Sequence, residues 1–280
     1  FVFPNIAGFV GGDTAAAILA AQMDTSDNLK LLIDIGTNGE IVLGTKDRLL
    51  ACSTAAGPAF EGGNITCGMR GAAGAIDHVF IDEEFKYTVI DDVSPCGIAG
   101  SGLVDAIAQL LKIGIVDKTG RLLKPKEVKN ELGRKYRDRI IDIDGVLSFV
   151  LTYNSQTGKP IFISQRDIRE FQLAKGAIAA GIDILLKAYG AKAEDIREVL
   201  LAGAFGNYLN YKSACRVGLI PEQLEDKTRG IGNAAGVGAK CGLLSEKEFE
   251  RGAKLSQKVQ YIELSSHHEF NQIFINKLDF

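Results

Sequence analysis

The chain has 280 residues, 46% apolar and 24% charged, with a formal net charge of −3. That length buries a real core in one large domain or two smaller ones, and the composition is that of a globular protein rather than a disordered one. The nearly balanced charge gives no reason to expect nucleic acid or an anionic membrane as partner, and no apolar run is long enough to span a bilayer.

The opening residues, Phe1-Val2-Phe3-Pro4, lack an initiator methionine and enter an apolar, strand-like run, as in a piece cut from a longer protein. Gly11-Gly12-Asp13-Thr14 leads into the Ala-rich stretch Ala15 to Met23, with Asp13 or Thr14 as N-cap. A meander of strands follows over 30–35, 40–45 and 48–54. Its first turn, Asp34-Ile35-Gly36-Thr37-Asn38-Gly39-Glu40, is the most informative segment of the chain. Asn38-Gly39 suits a tight turn with positive φ. The backbone N–H groups and the Thr37 hydroxyl at its tip would cradle phosphate oxygens, and Asp34 at the strand end would hold hydrated magnesium beside them. An ordinary hairpin with a turn-stabilising aspartate fits the same residues.

Gly57-Pro58-Ala59-Phe60-Glu61 is a loop feeding a short helix, with Pro58 near its first position. Residues 76–91 form a hairpin about Asp82-Glu83-Glu84, and Gly97 to Gly102 opens an amphipathic helix carrying Leu103, Ile107, Leu110 and Leu111. Segment 117–139 holds nine Lys/Arg against four Asp/Glu; a solvated face and a docking patch for an acidic partner are its two readings. Strands over 146–152 and 160–163 precede the longest helix, begun by the capping-box sequence Ser164-Gln165-Arg166-Asp167 and ended at Gly190. Glu198 to Ala202 is a buried strand closing in the Gly-rich turn Gly203-Ala204-Phe205-Gly206-Asn207. Gly230 to Ala239 is the start of a small-residue helix, and the tail holds a strand over 259–264 and a helix over 267–278.

The five cysteines are at least fifteen residues apart, so no local iron–sulfur or zinc ligand set exists and reduced spectator thiols in the cytoplasm are expected. The pair His267-His268 has no third ligand near it in sequence.

Three glycine-rich elements thus stand in a fixed order, at Asp34–Glu40, Leu201–Asn207 and Gly232–Gly236. That order resembles the phosphate, adenosine and connecting motifs of the acetate kinase, sugar kinase, heat-shock chaperone and actin ATPase superfamily. More narrowly, the stretches Leu32 to Leu43, Cys52 to Gly62, Ala202 to Leu209 and Pro4 to Asp13 are similar to the reductive activators of corrinoid proteins. The resemblance covers essentially the whole chain. It implies an α/β, RNase H-like (actin-like ATPase) mixed sheet flanked by helices in a partial two-lobed fold. Residues 1–28 would end a preceding ATPase subdomain, and 29–280 would be the C-terminal ATPase-superfamily domain, with an insertion at about 76–160.

Family members couple ATP hydrolysis to reduction of cob(II)alamin to cob(I)alamin in corrinoid carriers of methyl-transfer pathways. The resemblance implies ATP and Mg2+ as cofactors and a corrinoid protein as partner, with a homodimer as a further assembly and neither nucleic acid nor membrane. Asp34 would position magnesium, and Gly36, Thr37, Asn38 and Gly39 would contact phosphates. Gly203, Ala204, Phe205, Gly206 and Asn207, with Gly232, Asn233 and Gly236, would bracket the adenosine. Gly57 would wall the cleft and Glu61 would orient water, although Glu61 also reads as a first-turn carboxylate favoured by the helix dipole. The family's iron–sulfur ferredoxin domain and first phosphate hairpin would both lie upstream of Phe1, so the chain by itself is not expected to transfer electrons. A non-catalytic docking or dimerisation domain, and a small-metabolite kinase of the same superfamily, are the alternatives.

Overall fold

The computed structural model describes residues 2–280 without the side chain of Ala204. In chain order its elements begin with α1 (Gly12–Ala20), β1 (Lys30–Ile35), β2 (Gly39–Gly44), β3 (Leu49–Thr54), β4 (Ala75–Ile81), β5 (Phe85–Val89), β6 (Gly97–Ile98) and α2 (Gly100–Lys112). There follow α3 (Glu131–Lys135), β7 (Ile140–Ile143), β8 (Val146–Thr152), β9 (Ile161–Ser164), α4 (Gln165–Tyr189), β10 (Glu198–Ala202), α5 (Gly203–Tyr208) and α6 (Tyr211–Arg216). The chain closes with β11 (Thr228–Gly232), α7 (Ala234–Leu244), α8 (Glu246–Lys258), β12 (Val259–Tyr261) and α9 (Phe270–Asn276).

These elements form two compact units. The first comprises Phe1–Ala55, Ala177–Asn207 and Ile220–Asn276, and the second Ala56–Gly176, Tyr208–Leu219 and Lys277–Phe280. Residues 2–28 share a unit with β1–β3, and the segment interrupting that unit begins at residue 56. Residues 2–5 form no strand, and Phe1, where the apolar opening run starts, lies outside the described residues.

The first unit is built on a six-stranded mixed sheet in the order β11-β10-β1-β2-β3-β12. β1 runs parallel to β10 and antiparallel to β2, and β10 runs parallel to β11. Successive side chains on a strand face opposite ways, and the sequence uses both faces. Leu32, Val42, Ala51, Leu200 and Ala202 pack with Ala15 to Leu19 of α1, together with residues of α7 and α8. Removing each such Leu or Ile side chain from water contributes roughly 1.5–3 kcal/mol. On the opposite face the half of α4 after Ala177 approaches the sheet closely: a Cβ on Gly181 would lie 2.8 Å from Ile41 Cδ1 and 2.8 Å from Thr54 Cγ2.

α1 begins one residue before Asp13, with Gly11 as a cap that donates no side chain. Neither Asp13 nor Thr14 is the N-cap; Asp13 sits in the first turn, its Oδ1 accepting from the N–H of Thr14 at 2.8 Å. The Gly-rich segment after β10 is the short helix α5 rather than a turn. The tail strand ends at Tyr261 and the tail helix starts at Phe270, both shorter than their apolar patterns suggest.

The second unit holds two three-stranded sheets, β5-β4-β6 and β7-β8-β9, with α2, α3, α6 and the half of α4 before Ala177. Asp167 is 1% exposed and holds the start of α4. Its carboxylate accepts from Ser164 N and Oγ, both at 2.8 Å, and from Thr66 N and Oγ1 at 2.7 and 2.9 Å. Ser164 Oγ in turn accepts from Asp167 N at 3.2 Å, so the capping box forms. The basic segment 117–139 is laced by ion pairs, Arg121 with Asp117 and Glu127, and Lys135 with Glu83.

Candidate nucleotide site

Register alone places the predicted residues together. Asp34 pairs with Ala202, and Ala202 with Gly232, on one side; Asp34 pairs with Glu40, and Glu40 with Ser53, on the other. One row thus crosses five strands: Gly232, Ala202, Asp34, Glu40 and Ser53. By the two-residue period of β1, Asp34 shares the face of Leu32, and Glu40 shares that of Val42. The apolar rows under α1 therefore end in polar groups at the carboxyl ends of three adjacent parallel strands, where α/β sheets characteristically bind ligands.

Asp34 is partly buried, and burial pushes its carboxyl above the ordinary carboxylate value, with the charge of Asp13 adding to the effect. Glu40 is raised too: burial is the main cause and Asp34 a further one, against the hydrogen bond it accepts from Ser53 Oγ at 3.1 Å. Asp13 and Glu40 stand beside Asp34 without having been given a role from the motifs, although Glu40 closes the first of them. Glu40 was legible, because the hairpin register sets it opposite Asp34; Asp13 was not, because its approach depends on how α1 packs.

The hairpin differs from the expected turn. Its three-residue tip, Gly36-Thr37-Asn38, is closed by Gly36 N donating to Asn38 O at 2.9 Å, and neither Asn38 nor Gly39 has positive φ. Thr37 and Asn38 are exposed at this tip. Gly39 is buried in β2 for a different reason: a Cβ there would stand 2.7 Å from Thr54 Oγ1 and 3.1 Å from Ile178 Cγ1.

Gly203 has φ +84, and a Cβ there would come within 3.0 Å of Asp34 Oδ1. It admits the chain to α5 in a conformation that side-chain-bearing residues rarely adopt, directly beside the carboxylate. Asn207 Oδ1 accepts from Gly232 N at 3.1 Å, and Asn233 Oδ1 caps α7 by accepting from Gly236 N at 2.8 Å. Gly203, Phe205, Gly206, Asn207, Gly232, Asn233 and Gly236 are thus gathered at one end of the sheet with Asp34. Ala204 belongs to α5, and its side chain lies outside the described residues. A cavity of ≈ 660 Å³ adjoins this end, lined by Asn5, Gly12, Asp13, Asn233, Gly236 and Phe249 among others. Gly57, at φ +77, and Glu61 belong to the second unit, at either end of a 3-10 turn with Pro58 in its first position.

The donor set suits a hydrated cation held beside phosphate. Asp34 and Glu40 are crowded carboxylates that a cation would relieve, and Gly203 leaves open the space beside Asp34 that a Cβ would fill. Among the described residues no three His, Cys, Asp or Glu side chains are arranged to hold a metal, so a cation here would complete its shell with water and ligand oxygens, as magnesium does. His267 and His268 stack on each other with ring centroids 5.1 Å apart. Among the described residues no cysteine is in a disulfide, and burial drives the Cys52 thiol far upward, as suits an inert thiol.

The mixed sheet flanked by helices, with glycine-rich elements at its carboxyl end, is an actin-like ATPase fold of the ASKHA class. Residues 28–280 match the family described as the C-terminal domain of RACo, the ASKHA domain, and the chain belongs to that family. It is 38% identical over 97% of its length to the corrinoid activation enzyme RamQ of Eubacterium limosum, of which it covers 46%. It is 26% identical over 99% of its length to the [Co(II) methylated amine-specific corrinoid protein] reductase of Methanosarcina barkeri, covering 51% of that protein. A solved structure of a reductive activator for corrinoid, iron–sulfur protein superposes with a TM-score of 0.91 at 38% identity, over 100% of this chain and 44% of that one. The chain spans about half the length of the curated relatives it matches. No helix is long and apolar enough to cross a membrane among the described residues.

Proposed function

We propose that this chain is the C-terminal nucleotide-binding module of an ATP-dependent reductive activator, which returns cob(II)alamin to cob(I)alamin in a corrinoid protein of a methyl-transfer pathway. The observation that carries the reading is the row Gly232, Ala202, Asp34, Glu40 and Ser53, which brings all three glycine-rich motifs to one end of one sheet. Membership of the family and likeness to corrinoid activators supply the substrate class.

In this reading Asp34 holds Mg2+ through water, and Gly36, Thr37, Asn38 and Gly39 line the phosphates. Gly203 to Asn207, with Gly232, Asn233 and Gly236, bracket the adenosine. Bound magnesium supplies charge neutralisation at the phosphates. The chain's own contribution is positioning: a strand-end carboxylate, a short loop whose tip residues Thr37 and Asn38 are exposed, and a helix begun by a glycine beside that carboxylate. The iron–sulfur centre belongs to a preceding domain of the full-length protein, which works in the cytoplasm with the corrinoid protein as partner and forms a homodimer. Isothermal titration of the full-length protein with Mg-ATP tests the site. Asp34→Asn is expected to weaken binding by about tenfold or more while the circular dichroism stays native. Unchanged affinity would refute the assignment.

A further inference from the structure

Lys175 lies on α4 in the second unit and is 1% exposed, among the most buried large side chains in the chain. Lysine is almost never buried unless paired, yet among the described residues it makes no ion pair. Its ammonium instead donates to the carbonyl of Asp279 at 2.5 Å and stands 5.0 Å from the centroid of the Phe280 ring. Both partners belong to segment 277–280, which follows α9 and is neither helix nor strand. The same segment is held at two further points: Gln172 Nε2 donates to Leu278 O at 2.8 Å, and Phe280 N donates to Lys118 O at 2.8 Å. The Phe280 ring also packs on Phe171 with centroids 6.1 Å apart.

We infer that segment 277–280 is a releasable clasp whose latch is Lys175: closed, it keeps the amine from water, and open, it delivers that amine to solvent. At Leu278, Asp279 and Phe280 it is held through hydrogen bonds of its main chain and one ring, without a helix or a strand ladder, so it can open without the rest of the unit unfolding. Closure strips water from an ammonium and returns one carbonyl and one aromatic face. Burial, the largest influence, opposes the ammonium; of the charged groups facing it, Asp279 favours it and Lys277 also opposes it, and the amine is lowered to about 8 from 10.5. Gly218 supplies the remaining wall, where a Cβ would stand 3.5 Å from Nζ. Between about pH 8 and 10.5 opening therefore takes up a proton. Below pH ~8 both states are charged and closure is independent of pH; between about 8 and 10.5 rising pH favours closure, by up to about tenfold per unit.

The test is amine labelling and amide exchange on the full-length protein. With an N-hydroxysuccinimide ester at pH 8, Lys175 is expected to react about tenfold or more slowly than the exposed Lys126, and Phe280→Ala is expected to abolish most of that protection without changing the near-ultraviolet circular dichroism. The protection factor of the Phe280 amide, which divides out intrinsic exchange, should rise about fivefold from pH 8 to 9 and be flat in Lys175→Met. The inference is overturned if Lys175 labels as fast as Lys126, if Phe280→Ala leaves it protected, if the amide exchanges only at the rate of global unfolding, or if Lys175→Met retains the pH dependence.

Discussion

Asp34 sits where a folded chain would not place a carboxylate for stability. It faces Glu40 directly across the hairpin and feels Asp13 from α1, and like charges opposed across strands destabilise a sheet. Asp34→Asn is therefore expected to stabilise the ligand-free protein by roughly 0.2–1 kcal/mol in urea denaturation while weakening Mg-ATP; a loss of stability would show that the carboxylate serves the fold. Because Asp34 and Glu40 titrate above their ordinary values of 3.8 and 4.5, the native state holds protons that the unfolded chain has released. Their contribution is lost as pH rises through the raised values, and Asp34→Asn should flatten that limb. His78 behaves oppositely. Its Nδ1 lies 2.8 Å from Asp105 Oδ2, and that hydrogen bond raises it above 6.5. The stability it contributes is complete below pH 6.5 and lost as pH climbs through the raised value. An NMR titration of the His78 ring should show the raised midpoint, returning to the ordinary range in Asp105→Asn.

At the scale of elements, the α1–α7 crossing depends on bare backbone. A Cβ on Gly238 would fall 1.9 Å from Ala16 O, so Gly238→Ala is expected to cost about 1–3 kcal/mol through overpacking, against less than about 0.5 kcal/mol for Gly8→Ala, where nothing lies within 4 Å. Equal denaturation midpoints for the two variants would mean the helices give way freely. Periodicity carried most elements: the meander, the 76–91 hairpin, and the α4 stripe of Ile168, Phe171, Ile178, Ile182, Leu185 and Leu186, all of it buried. It missed β7, whose four residues are too few to show alternation. It also misread α5, because two glycines in six residues look like a turn, whereas the segment is held as a helix against β10: a Cβ on Gly206 would meet Leu201 at 2.8 Å. Gly39 was read through φ when its constraint is contact with Thr54 and Ile178. Local pattern reports conformation well and close approach poorly, since approach is decided by residues far along the chain.

For the whole molecule, the fold and the gathering of the three motifs were legible, because strand order follows from the sequence of elements and spelled motifs fall at strand ends. The division into two interleaved units was not, since each unit is assembled from distant segments. The hairpin at Asp34 is the one proposed to hold phosphate in this chain, and phosphoryl transfer depends on complete positioning of both reacting groups. The isolated chain is accordingly expected to show little or no ATP turnover; steady turnover abolished by Asp34→Ala would contradict this. The central claim is that Asp34 serves ATP-driven activation rather than partner docking. The direct measurement uses the full-length protein carrying Asp34→Asn, with pull-down of the corrinoid protein and the spectroscopic appearance of cob(I)alamin in the presence of ATP and reductant followed side by side. The account requires docking to persist while cob(I)alamin formation falls by about tenfold or more. Full cob(I)alamin formation, or loss of docking in a correctly folded variant, would contradict it.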